Sequence, residues 1–511
     1  MLAWEKTKTS KYVVIYIALM RNRKWLHMII FCLLACPIWA QDWQWWPLEL
    51  SHENLSGDTL YYNADILGVA SSGTYAPFWL QSNRNGNIAA SPYSGNISAG
   101  IFKPATQPHR WYDYDFALQL TGRAQSDIPT PFSSYQKRCT GYFNQLYAHI
   151  RLYFVDITAG IKPLVYESID PLLSSGSMIL SGNSQPIPRI TIGIDDYIPF
   201  PGLFGYMEIK GGITHAWMAD KVYIDGCRLH HKFAALRFGG TLPVNISYEF
   251  HHAALWGGIS PVFGDVGSDF HSFLNVLMAQ SGGTMANDQM NVQGNHVGSQ
   301  QLALTAKGEG WNVTAYWQNF FDDNFAFLGL GQNLPDGIWG ISVQQTHWPW
   351  IEGFTYEYMN TTDQSGPWHD RDGLCYGASD SYYRNSVFQN GWNYFYRSIG
   401  TPFITSPLYN QDGTIYTLNS RVRLHHIGIR GNMHGFKYRL LCSYTRNFGN
   451  DNTSKQIVST NVATLIEVTK YVEKAWGLDF GIALASDIGN QFGNQFGAMF
   501  TIRKQGIITQ W

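Results

Sequence analysis

The chain has 511 residues, enough for several ordinary domains or one large closed sheet. Only 14% of residues are charged while 15% are aromatic, and the 50 glycines, 30 tyrosines and 19 tryptophans favour strands and turns over helices. A formal net charge of −2, with no basic stripe along the chain, excludes a nucleic-acid binder that works by displacing counterions from phosphates.

At the N-terminus two apolar blocks, residues 12–20 and 25–39, flank the basic stretch Arg21-Asn22-Arg23-Lys24. Neither block reaches the ~20 residues that a spanning helix needs. Read from Met20, the stretch is a signal peptide: a cationic start, an apolar run through Met28-Ile29-Ile30-Phe31-Cys32-Leu33-Leu34, and the small Ala40 before polar Gln41. Translation is expected to begin at Met20, so that residues 1–40 are an extension plus signal peptide and residues 41–511 a single domain. Leu33-Leu34-Ala35-Cys36 also admits lipoprotein processing at Cys36, although Leu34 and Pro37 suit it poorly. Further on, Cys139, Cys227, Cys375 and Cys442 are too scattered for a disulfide scaffold, and their spacing leaves pairing open.

After Gln41 no apolar run is long enough to span as a helix, so membrane integration would require strands closed into a barrel with every backbone group paired. Period-two ladders supply such strands. Tyr112, Tyr114, Phe116, Leu118 and Leu120 alternate with Asp113, Asp115, Ala117 and Gln119. Leu146, Ala148, Ile150 and Leu152 alternate with Gln145, Tyr147, His149 and Arg151; Met207, Ile209 and Ile213 stand opposite Glu208, Lys210 and Thr214. The pattern returns at Val313, Ala315 and Trp317, at Phe436, Tyr438, Leu440 and Cys442, and at Leu478, Phe480, Ile482 and Leu484. Gly, Asn, Asp and Pro clusters at residues 83–87, 127–131 and 447–452 punctuate the ladders, and no linker interrupts them.

At ~10 residues per strand, the mature chain would supply about 16–18 antiparallel strands. Alternation alone does not say which face meets solvent, because a soluble sandwich buries its apolar face while an outer-membrane barrel turns that face to lipid and its polar face to the lumen. The export signal, an aromatic load suited to two interfacial girdles, charges confined to one face of several strands and the terminal Trp511 favour the barrel.

No G-x-S-x-G elbow, phosphate-binding glycine loop, H-E-x-x-H or calcium loop is present. Three pairs, His230-His231, His251-His252 and His425-His426, invite a metal reading, but adjacent residues of a strand point to opposite faces, so they are expected to be lumen or rim histidines. Asp195-Asp196 and Asp322-Asp323 are expected to be turn residues and not a glycosidase pair. No Ser and His combination stands out for a barrel lipase. The expectation is therefore no catalytic residue, no metal and no cofactor. Trp79, Trp256, Trp339, Trp348, Trp350, Trp368 and Trp392 fall at strand ends or in loops; most are expected to anchor the interface and the rest to stack on sugar faces.

Several loop stretches carry a family resemblance. They are Ala76-Pro77-Phe78-Trp79-Leu80-Gln81-Ser82-Asn83-Arg84, Ser181-Gly182-Asn183-Ser184 with Pro186-Ile187-Pro188, Trp256-Gly257-Gly258, and Gly294-Asn295-His296-Val297-Gly298. Leu334-Pro335-Asp336-Gly337-Ile338-Trp339-Gly340, the run from Glu357 through Thr362-Asp363-Gln364 to Pro367, and Asn419-Ser420-Arg421-Val422-Arg423 complete the set. In these the chain resembles a divergent branch of the Wzi-like capsule-assembly family of outer-membrane proteins, across nearly all of the mature sequence. The resemblance implies an all-β, antiparallel transmembrane β-barrel of about 18 strands, its lumen partly plugged by inward loops or short helices. It further implies a non-enzymatic, lectin-like protein in the bacterial outer membrane that attaches or assembles capsular or exopolysaccharide; a monomer is expected. A porin or polysaccharide transport channel is the competing reading. Residues 263–290 and 450–459 match nothing in the family, and variable loops of this kind are where saccharide specificity would reside.

Candidate carbohydrate-binding or plug-knitting residues are Asn83, Arg84, Asn183, Trp256, Asn295, His296, Asp336, Trp339, Asp363, Gln364, Trp368, Asn419, Arg421 and Arg423. Arg421 and Arg423 share a face by their spacing and are the expected contact for an acidic polysaccharide.

Overall fold

Each ladder read above forms a strand, and pairing runs strictly between chain neighbours. The computed structural model describes residues 59–511 apart from 106–110, 129–131, 133–137, 164–169, 204, 241, 284–291, 323–332, 334, 365–368, 372–373, 377–380 and 451–457. The signal peptide and Trp368 therefore lie outside the described residues. Eighteen strands make one antiparallel sheet. In chain order they are β1 (Thr59–Ser71), β2 (Tyr93–Lys103), β3 (Tyr112–Gln125), β4 (Cys139–Leu152), β5 (Val155–Ile161) and β6 (Arg189–Pro199). Next come β7 (Met207–Trp217), β8 (Arg228–Phe238), β9 (Val244–Trp256), β10 (Asn295–Gly308), β11 (Trp311–Asp322) and β12 (Gly337–Gln345). The last are β13 (Gly353–Asn360), β14 (Val422–Met433), β15 (Phe436–Asn447), β16 (Ser459–Val472), β17 (Leu478–Gly489) and β18 (Gln495–Gln510). β18 returns to pair with β1, placing Met499 opposite Val69 and Lys504 opposite Ala64, so the sheet closes and no edge is left unpaired.

The polarity of the wall is that of a membrane barrel. On β2 Ile97 is 65% exposed while its neighbour Asn96 is 5% exposed, and on β3 Tyr112, Tyr114, Leu118 and Leu120 face outward while Asp113, Asp115 and Gln119 are buried inside. A soluble protein would put these two sets the other way round. Exposed Trp111, Tyr153, Tyr206, Trp311, Trp348 and Trp476 ring one end, and Tyr93, Trp217, Trp339 and Phe496 the other, as two aromatic girdles about an aliphatic belt.

The two ends differ. Tyr153-Phe154, Glu309-Gly310 and His434-Gly435 make two-residue turns at one end; His434 (φ 54°) and Gly435 (φ 74°) both take the left-handed backbone of a type I′ hairpin. At the other end most connections are longer, and three stretches of them, residues 72–92, 170–188 and 381–421, fold into the lumen. Phe78, Trp79 and Leu80 from a short helix, α1 (Phe78–Gln81), join Leu173, Met178, Ile179, Tyr382, Phe388, Trp392 and Phe403 in one buried cluster.

Here the polar lumen expected from the sequence needs correction. Leu67, Val69, Phe320, Val422, Leu424, Leu465 and Met499 face inward from the wall and belong to the same cluster. Because the plug excludes water, inward positions that touch it gain more from apolar burial than from polarity. Two of the loop tryptophans serve neither expected role: Trp79 and Trp392 are buried in the plug, where their Nε1 groups donate to Ser443 Oγ (3.0 Å) and Ile179 O (2.6 Å).

Candidate functional site

The loop end of the barrel gathers most of the expected site residues. Asp336 is the last residue before β12 and is fully buried. Its Oδ1 accepts from the Asp363 backbone N–H (3.0 Å) and Asn360 Nδ2 (2.8 Å), and its Oδ2 from the Gln364 N–H (2.8 Å) and the Tyr382 hydroxyl (2.9 Å). Gln364 sits at φ 46° and donates its side-chain amide to Thr361 O and Ser420 Oγ. Asn419 donates to Thr405 Oγ1 and Asn447 Oδ1, both at 2.8 Å. Asp336, Asp363, Gln364 and Asn419 thus tie the loop between β13 and β14 to the mouth of the wall.

Two loop carboxyls are shifted here. Burial, opposed by the donors just named, pushes Asp336 up to about 6, and burial likewise pushes Asp220, which accepts the Phe395 N–H at 2.9 Å, up to about 6. Both values lie above the ordinary 3.8. Each group therefore lends stability that is complete below pH ~4 and is lost as pH rises through about 6. The Asp336→Asn/Asp220→Asn variant is expected to flatten the pH dependence of loop protection between pH 4 and 7, read by hydrogen exchange at Gln364 and Phe395.

Beside this knot lies a basic patch. Arg423 on β14 and Arg446 on β15 are directly opposed across the strand pair and both face outward. Their guanidinium groups lie 5.6 and 5.4 Å from the ring of Phe448. Arg423 also donates to Asn360 Oδ1 at 3.2 Å. Arg421 precedes β14, and its Nε is buried with no hydrogen-bond partner. None of the three meets a carboxylate among the described residues. Like charges directly opposed on a sheet repel, so the patch is held open against its own electrostatics. Arg446 was not singled out from the sequence; the cross-strand register, which only the pairing reveals, brings it to Arg423.

The remaining candidates separate into two places. Asn83, Arg84 and Asn183 are structural members of the plug: Arg84 pairs with Glu467 at 3.2 Å on β16, and Asn183 donates to Ser398 Oγ at 2.9 Å. A narrow, mainly apolar cleft between plug and wall is lined by Leu180, Ile187, Leu229 and Ile399, with Arg189 and His231 among its polar groups. Trp256 and His296 lie on the outer side of the wall beneath a covering segment, with His296 Nδ1 and His252 Nε2 2.9 Å apart. Asn295, beside His296, is buried with its Nδ2 unpartnered, and Trp339 stacks on Trp317 on the outer surface at 5.3 Å.

Adjacent histidines do split between faces, as the strand period requires, yet they meet histidines of neighbouring strands: His231 Nε2 lies 3.2 Å from His251 Nδ1 in the lumen. His230 and His252 are neither lumen nor rim residues but are buried on the outer face. Asp195 and Asp196, expected in a turn, lie within β6, where Asp196 pairs with Arg151 at 2.7 Å. Near the short-turn end, ligand atoms of His149, Asp156 and Asp195 come within 4.8 Å of one another. The Asp156 carboxylate is already met there by His149 Nε2 (2.9 Å), Arg151 Nε (2.7 Å) and the Asp195 N–H (3.0 Å), which makes a satisfied ion-pair network. Cys139, Cys227 and Cys442 are free thiols.

No family model matches the chain, and no curated relative matches its sequence. Among solved structures it is similar to Wzi of Escherichia coli, an outer-membrane protein involved in group 1 capsule assembly and described as a carbohydrate-binding β-barrel. That likeness has a TM-score of 0.53 at 13% identity and covers 86% of this chain and 84% of the other. OccK5 (OpdH) of Pseudomonas aeruginosa aligns at TM-score 0.45 and 9% identity over 88% of this chain and 98% of that one. OccAB2 of Acinetobacter baumannii aligns at 0.46 and 7% over 88% and 98%. The closed wall, its apolar exterior and the Wzi likeness agree on the fold: the chain is an 18-stranded barrel of the bacterial outer-membrane type.

Proposed function

We propose that this barrel is a lectin-like, monomeric protein of the Wzi-like kind that attaches or assembles capsular or exopolysaccharide at the cell surface, holding an acidic glycan without chemistry. The observation that carries the reading is the cationic pair Arg423 and Arg446 beside Phe448 at the loop rim, with Arg421 two residues before Arg423, all left without carboxylate partners among the described residues. Long loops of such barrels face outward from the cell, and planar guanidinium groups suit the carboxylates of an acidic sugar while a ring beside them suits its apolar face. The carbohydrate-binding description of Wzi, the solved structure of similar fold, supports the same substrate class.

A glycan array on detergent-purified protein tests this. Acidic polysaccharides are expected to bind, and the Arg421→Gln/Arg423→Gln variant to bind about 10–100-fold more weakly, the worth of one charge-assisted hydrogen bond of about 1.5–3 kcal/mol. Equal binding by the folded variant would remove the basis of the reading.

The competing channel reading makes an opposite demand. Three loops fill the lumen with a continuous apolar cluster, which favours binding over passage. In planar bilayers the protein is expected to show no steady single-channel conductance; stable openings in unmodified protein would favour the porin.

A further inference from the structure

Residues 257–283 take a different route from the other long connections. Gly257 and Gly258, at φ 65° and 98°, turn the chain after β9, and the segment then runs along the outer side of the wall. The contacts establish the side. Phe273 of the helix α2 (Phe270–Met278) packs on His215, His230 and Trp256, at 5.8, 5.8 and 5.5 Å between ring centres. Those three residues share the outward parity of exposed Ile213, Phe238 and Ile246 on β7, β8 and β9. Arg228 donates to Ser268 O at 2.9 Å, and Lys232 to Leu277 O.

The helix covers a polar stretch of wall, where His230, Lys232, His252 and His296 stand at positions that lipid would otherwise touch. Its own far side is apolar. Phe270 (73% exposed), Leu274 and Met278 (64% exposed), four residues apart, form one stripe, and the preceding turn adds exposed Ile259, Val262 and Phe263. Phe273 and Val276 pack toward the wall beside the buried Ser272 and Asn275, so the helix turns these polar groups inward and an apolar stripe outward. The stripe lies beside the lipid-facing surface of the wall: His215, on which Phe273 packs, also meets the exposed Trp217 at 4.8 Å between ring centres.

We propose that residues 257–283 are a membrane-interface element, in which α2 lies against the outer wall at the level of the loop-end girdle and sinks Phe270, Leu274 and Met278 among the acyl chains of the outer leaflet. The occupant of this face is lipid, because the face adjoins a surface that the barrel already presents to lipid and its stripe of Phe270, Leu274 and Met278 bears no charge. The segment acts as a patch: it satisfies a polar corner of the wall from one side and replaces it with an apolar surface on the other.

The test uses the unmodified protein in vesicles of phosphatidylethanolamine and phosphatidylglycerol that carry a photoreactive diazirine in the acyl chain, with adducts mapped by mass spectrometry. Label on Phe270, Leu274 or Met278 together with Ile246 and Leu302 is the expected result. Label on the wall strands without label on residues 257–283 would overturn the proposal, as would cross-links joining this segment in two copies of the chain. Neither result depends on whether the rim binds a glycan.

Discussion

Replacing Glu467 with glutamine is expected to free the plug from the wall. Glu467 projects from β16 into the lumen and holds two arginines, Arg84 from the plug at 3.2 Å and Arg439 from β15 with its Nε at 3.0 Å. All three are buried. Removing the single carboxylate deprives two buried guanidinium groups of the counter-charge they share, and breaking a buried pair in this way costs about 3–5 kcal/mol. The wall should survive, because its main-chain ladder does not pass through this contact. The expected result is earlier proteolytic cleavage within residues 72–92, a lowered first thermal transition and intermittent conductance in bilayers. The Arg84→Gln/Glu467→Gln variant should recover part of the loss, since it deprives one buried guanidinium of that carboxylate instead of two; no recovery would show that the loss has another source.

Trp392→Ala is the second large effect. Trp392 is the largest fully buried side chain of the plug, and its indole N–H donates to Ile179 O at 2.6 Å, joining the loop between β13 and β14 to the loop between β5 and β6. Truncation opens a cavity and orphans a buried carbonyl, a combination worth about 3–5 kcal/mol. Because this tryptophan serves the plug and not the lipid interface, its loss should leave insertion into vesicles unchanged while hydrogen exchange rises in residues 170–188. Impaired insertion with an undisturbed plug would place it in a girdle instead.

The wall was legible because strand chemistry is local. The set Tyr112, Tyr114, Leu118, Leu120 against Asp113, Asp115, Gln119 needs only the period of two, and once closure is required the apolar set must face out. The plug was less legible because its determinants are remote in sequence. Arg84 and Glu467 are 383 positions apart, and nothing near either predicts the other. Val422 and Leu424 alternate with Arg423 and His425, and only the filled lumen explains why the apolar members face inward. At the rim, the resemblance picked out Asp336, Gln364 and Asn419, which the structure uses to tie loops together, while Arg446 became a neighbour of Arg423 only through strand register. α2 did leave a local signal that was passed over: Asp269 caps it by accepting the Ser272 N–H, and Phe270, Phe273, Leu274, Leu277 and Met278 recur at helical spacing.

The most direct measurement is retention of surface polysaccharide by cells whose barrel carries Arg421→Gln and Arg423→Gln, with barrel abundance and heat-modifiable mobility matched to the unaltered protein. Release of capsule or exopolysaccharide into the medium is the predicted result. Undiminished retention on cells with a correctly folded variant barrel would contradict a glycan-holding rim.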